Sequence, residues 1–88
     1  MADYSIGFAR SARKELERLP GDVAARILTK LEMLTENPRR SGVIKLHGQE
    51  NLWRLRVGDY RVVYSIDDEA KVVDVSVIRH RRDVYRGF

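Results

Sequence analysis

The sequence predicts an α+β fold in the order β-α-α-β-β-β, a helical hairpin laid on one face of a mainly antiparallel sheet. Three observations carry this. Residues 53–66 alternate apolar and polar in two runs joined by Gly58-Asp59, the pattern of two half-buried strands in a tight hairpin. Residues 11–34 instead place apolar side chains at helical spacing, with a break at Pro20-Gly21. Finally, 88 residues with 43% hydrophobic and 34% charged side chains suit one small globular domain, spanning residues 1–88.

Taken in order, Tyr4-Ser5-Ile6-Gly7-Phe8 alternates apolar and small residues and predicts a short strand. Ser11 to Leu19 follows as a helix, with Ala12, Leu16 and Leu19 on one side. Pro20-Gly21 ends it, and Asp22 is the expected N-cap of the next helix, where a short acceptor satisfies free backbone N–H groups. Ala24, Ile27, Leu28, Leu31 and Leu34 form the apolar stripe of that helix, which should stop before Pro38.

From Val43 onward the chain reads as strand. Successive strand residues point to opposite sides, so Trp53, Leu55 and Val57 share a face with Tyr60, Val62, Tyr64 and Ile66. Arg54, Arg56, Arg61, Val63 and Ser65 take the other face. The three aromatic residues of the hairpin thus belong to the core rather than to a base-stacking platform. After a turn at Asp67-Asp68-Glu69-Ala70, residues 71–79 alternate again, with Val73, Val75 and Val77 opposite Asp74 and Ser76; Ile78 breaks the alternation.

The formal charge is +4 and the isoelectric point about 9.8. The excess is localised. Residues 39–61 carry Arg39, Arg40, Lys45, Arg54, Arg56 and Arg61 against Glu50 and Asp59, and residues 79–86 carry Arg79, Arg81, Arg82 and Arg86 against Asp83. Anionic partners are expected, nucleic acid foremost. There is no cysteine, which removes disulfides, thiolate metal ligands and a cysteine nucleophile. His47 and His80 are far apart and lack ligand spacing, so no metal is expected, and no small-molecule cofactor motif occurs. No signal-like N-terminus or apolar run of ~20 residues appears, so no membrane association and a cytoplasmic setting are expected.

Arg54, Arg56 and Arg61 are the central constellation. A guanidinium is planar, pairs bidentately with phosphate and stays charged at any working pH. Such groups suit stabilisation of the added negative charge in a pentacoordinate phosphorane. Otherwise they would be solvated strand residues, paired to Asp59 or Asp74. His80 has the intrinsic pKa for proton transfer near neutrality.

The Leu52-Trp53-Arg54-Leu55-Arg56-Val57-Gly58-Asp59-Tyr60-Arg61-Val62-Val63-Tyr64 hairpin and the ending His80-Arg81-Arg82-Asp83-Val84-Tyr85-Arg86, in this element order, resemble the RelE/ParE toxin superfamily. The resemblance implies a toxin of a type II toxin–antitoxin pair: a metal-independent endoribonuclease that cuts mRNA on the ribosome. Its partners would be the ribosome with its mRNA and a cognate antitoxin protein. It further implies that Arg54, Arg56, Arg61 and Arg81 hold the phosphate, with Arg79 the alternative to Arg81, and that Tyr85 stacks on a base or moves protons. Several family members carry lysine where this chain has Arg54 and Arg56. Because arginine does not give up its proton, His80 or Tyr85 becomes the expected general base. Lys45, Arg79 and Arg82 would add RNA contacts. ParE relatives share the fold but act on DNA gyrase without cutting RNA, which is the alternative reading.

Overall fold

The computed structural model describes residues 3–80. Strand β1 (Ser5–Phe8) is followed by helices α1 (Arg10–Arg18) and α2 (Gly21–Leu34), then by β2 (Ile44–Lys45), β3 (Trp53–Val57), β4 (Tyr60–Asp67) and β5 (Val72–His80). The expected order holds, with a two-residue edge strand, β2, added before the hairpin. The sheet runs β1-β5-β4-β3-β2. Every neighbour pair is antiparallel except β1 with β5, which is parallel. The two helices supply the long crossover that a parallel pair of this kind requires.

Both helices lie on one face. Ala12 of α1 and Ile27, Leu31 and Leu34 of α2 form one buried cluster with Leu55, Val57, Val62, Tyr64, Ile66, Val73, Val75 and Ile78. Alternation in β3 and β4 therefore assigns the core face correctly. The Tyr64 hydroxyl, fully buried, donates to the Pro38 carbonyl at 2.6 Å, which fixes the chain leaving α2 against the middle of the sheet. Removal from water pushes this phenol up to about 12.

Two local expectations are corrected. The N-cap of α2 is Pro20, which makes no side-chain cap, and Asp22 sits inside the first turn, where a carboxylate acts on the positive end of the helix dipole. In β5 the valine alternation stops at a bulge. Tyr64 faces Val75 but Val63 faces Val77, leaving Ser76 as the extra residue. The bulge reverses the parity of everything beyond it. Ile78 enters the core opposite Val62, while Val77 and Arg79 turn to the open face opposite Val63 and Arg61.

Candidate RNA-phosphate site

The open face is built by register. Arg56 of β3 stands opposite Arg61 of β4, and Arg61 stands opposite Arg79 of β5. Neighbouring strands lie ~4.8 Å apart, so three guanidinium-bearing side chains share a row about 10 Å wide. Directly opposed like charges destabilise a sheet. No structural economy explains three in a row. The tight Gly58-Asp59 connection, with Gly58 at φ +59°, sets the Arg56–Arg61 half of this register. The bulge at Ser76 sets the other half; without it Arg79 would point to the helices.

Among the described residues the row makes no ion pair. Among the described residues the ion pair is between Arg39 and Asp68, away from the row, and neither Asp59 nor Asp74 forms one with Arg56, Arg61 or Arg79. Arg61 donates from Nη1 to the carbonyl of Tyr60 at 3.3 Å, but its Nε is buried with no hydrogen-bond partner. A buried, unpaired donor on a charged group carries a desolvation cost that an incoming acceptor removes. Arg56 donates from Nε to the carbonyl of Gly58 at 3.3 Å. Arg54, one turn of the alternation earlier, stands on the same face opposite Val63. Val63 is only 1% exposed and pairs with Val77, so the arginine stems have apolar surface to lie along.

Arg54, Arg56, Arg61 and Arg79 are thus brought to one face. Two expected site residues are not. His80 follows Arg79 and so points to the opposite side, in register with Tyr60; the two rings meet edge to face at 5.4 Å and 82°. Lys45 faces Trp53 in the β2–β3 ladder, and its Nζ lies 5.9 Å from the indole centroid, on the helix side of the sheet. Both therefore stand apart from the arginine row. Arg81, Arg82 and Tyr85 lie outside the described residues. Arg79 was legible as the competitor of Arg81 and as an added RNA contact; the interruption at Ile78 was the signal that would have put it beside Arg61.

A separate basic group is structural. Arg39 makes a two-pronged contact with Asp68, Nη1–Oδ1 at 3.1 Å and Nη2–Oδ2 at 2.9 Å, and its Cζ lies 5.5 Å from the Trp53 ring centroid. The Tyr4 hydroxyl donates to the same carboxylate at 2.7 Å. These bonds, from Arg39 first, hold the Asp68 carboxyl down at about 2. The described residues contain no group of three or more His, Asp and Glu side chains that could hold a metal ion. None of their helices is long and apolar enough to cross a membrane.

The fold and this face define a toxin of the type II toxin–antitoxin class: residues 6–85 match the family described as the ParE toxin of type II toxin-antitoxin system, parDE, and the chain belongs to that family. Among its relatives it is most usefully compared with the RelE proteins. It is 37% identical to Toxin RelE of Mycobacterium tuberculosis over 84 residues, covering 94% of this chain and 87% of that protein. It is 35% identical over 86 residues to the mRNA interferase toxin RelE of Escherichia coli K12, covering 93% and 90%. The toxin in the intact E. coli RelBE toxin–antitoxin complex superposes with a TM-score of 0.79 at 30% identity, over 88% of this chain and 95% of that one. The archaeal RelE–RelB complex of Pyrococcus horikoshii gives 0.78 at 33% identity, over 90% and 96%.

Proposed function

We propose that this chain is the toxin of a type II toxin–antitoxin pair and acts as an mRNA interferase, a metal-independent endoribonuclease that stops translation. The observation that carries the reading is the Arg56–Arg61–Arg79 row, with the buried, unpartnered Nε of Arg61 at its centre. The similarity to a protein named mRNA interferase toxin RelE supports it at the level of the whole chain.

The 2′-hydroxyl beside the scissile bond attacks the phosphorus. The bond to the 5′-oxygen of the next nucleotide breaks, leaving a 2′,3′-cyclic phosphate and a 5′-hydroxyl. Charge on the nonbridging oxygens rises as the phosphorane forms, and Arg54, Arg56, Arg61 and Arg79 or Arg81 meet it with fixed donors. Arginine holds its protons, so it stabilises and orients but does not serve as the base. With the ring of His80 against Tyr60 on the other side of β5, Tyr85 is the favoured group for proton transfer or for stacking on a base. Lys45 and Arg82 are left as peripheral RNA contacts. Cleavage would occur on the ribosome, in the cytoplasm, carried by one domain spanning residues 1–88.

Solved relatives include complexes of RelE with RelB, which supports a cognate antitoxin as the partner that silences this chain. Expression of the chain alone, followed by primer extension, tests the reading. Cuts in translated messages and none in untranslated ones are expected. Because the matched family carries the ParE name, the competing outcome is also concrete: altered plasmid supercoiling with intact mRNA would replace the nuclease by a gyrase inhibitor.

A further inference from the structure

The arginine row does not end at the sheet. Beyond Arg56, at the tip of the β3–β4 hairpin, a crevice of about 500 Å³ opens against α2, lined by Ala25, Arg26, Lys30, Arg56, Val57 and Gly58 among others. Two guanidinium groups converge on the same glycine. Arg56 Nε donates to the Gly58 carbonyl at 3.3 Å, and a Cβ on Gly58 would stand 2.8 Å from Arg26 Nη2. Lys30, one helical turn beyond Arg26, adds a third cation to the same lining. None of the three is in the ion pair found among the described residues, and no acid lines the crevice. Converging cations without a counter-anion repel one another, so the arrangement is stabilised by whatever anion enters.

We propose that this crevice is a second RNA-phosphate site, in which Arg26 and Lys30 extend the backbone contacts of the arginine row around the hairpin tip onto α2. The proposal rests on the reading of the chain as an RNA-cutting toxin and adds where the RNA goes next. Arg56 belongs to both places: it closes one end of the row and forms one wall of the crevice. A polyanion with regularly spaced charges lying across Arg79, Arg61 and Arg56 leaves the sheet at that point, and Arg26 and Lys30 are the next cations it meets. The planar fork of Arg26 suits a phosphate bidentately. Three cations and no acid line the crevice, which favours a polyanion over the neutral apolar anchor of a protein partner. The phosphates could belong to the message strand itself or to a folded RNA beside it, and the two sources share this chemistry.

The test is binding of the full chain to a labelled single-stranded RNA and to a stable RNA hairpin across a salt series. Each phosphate contact contributes about 0.7 to the slope of log affinity against log salt on a single strand. The Arg26→Gln/Lys30→Gln variant should lower that slope by about 1.4. A drop on the single strand assigns the site to the message, and a drop on the hairpin alone assigns it to folded RNA. Arg26→Lys/Lys30→Arg should keep the slope, and so should Arg10→Gln/Arg13→Gln, which removes the same charge near β1. Equal losses in either of these variants overturn the proposal, as a packing effect or a net-charge effect respectively. An unchanged slope on both RNAs, with Arg61→Ala still weakening binding, overturns the second site and leaves the functional reading standing. If Arg61→Ala is also without effect, both fall. Weakened binding of a polyglutamate probe with RNA binding intact would also overturn it, pointing to an acidic protein.

Discussion

Arg39 and Arg61 show one side chain used in two opposite ways. Arg39 sits where the loop after α2 meets the β4–β5 turn, and each of its polar contacts is answered: a two-pronged carboxylate, with an indole face beneath. Arg61 sits at the centre of the sheet between two other arginines, with a buried Nε that nothing answers. The first arrangement lowers the energy of the folded chain as it stands. The second raises it and becomes favourable only when an anion arrives. The contrast explains why charge counts alone mislead in this chain. Lys45 and Arg39 each carry one positive charge, as Arg56 and Arg79 do, yet both lie at Trp53.

The largest expected effect comes from removing the unanswered group. Arg61→Ala should lower cleavage by about 100- to 1,000-fold, the range seen when one preorganised electrostatic donor is lost. Its melting temperature should hold or rise slightly, because an unsatisfied buried donor disappears with it. A melt lowered by many degrees would mean that Arg61 is structural and would erase the contrast with Arg39. Arg61→Lys sharpens it: charge is retained but the planar fork is lost, so partial activity separates field from geometry.

An intermediate effect belongs to the core face. Tyr64→Phe leaves the Pro38 carbonyl without its donor. That should cost about 1 kcal/mol, which for a domain of this size lowers the melting temperature by roughly 4–8 °C. Cleavage by the folded variant should match the parent. Reduced cleavage with an unchanged melt would instead tie Tyr64 to the arginine face, against the alternation that places it in the core.

How much of this could be read in the chain depends on how far each feature reaches. Parity within β3 and β4 is a local property, and it gave the core face, the arginine face and the role of Trp53, Tyr60 and Tyr64. The bulge at Ser76 left one trace, Ile78 out of phase after Val73, Val75 and Val77. An inserted residue changes parity without changing composition, so Arg79 and His80 exchanged sides unseen. Pairings between residues distant in sequence left no trace. Tyr64 with Pro38, Arg39 with Asp68, and the parallel β1–β5 ladder depend on how the helical crossover returns the chain. The same distance hid the crevice, because nothing in the sequence ties Arg26 of α2 to Arg56 of β3.

The smallest effect tests the answered arginine by pH. Asp68 titrates at about 2 in the folded chain against 3.8 as its ordinary value, so the folded state binds its proton less readily than the unfolded one. For a carboxyl lowered in this way, the stabilisation is fully present above pH 4 and fades as pH falls toward 2. Both partners are well exposed, at 42% and 54%, so the contribution is modest and should shrink further in high salt. Thermal melts of the parent and of Asp68→Asn, taken from pH 5 downward, measure it. The parent should be the more stable at pH 5, and the two curves should converge as pH approaches 2. A gap that stays constant across this window would show that the asparagine disturbs the turn itself. The Tyr4 and Arg39 contacts would then owe their effect to shape rather than to charge, and the contrast with Arg61 would have to rest on burial alone.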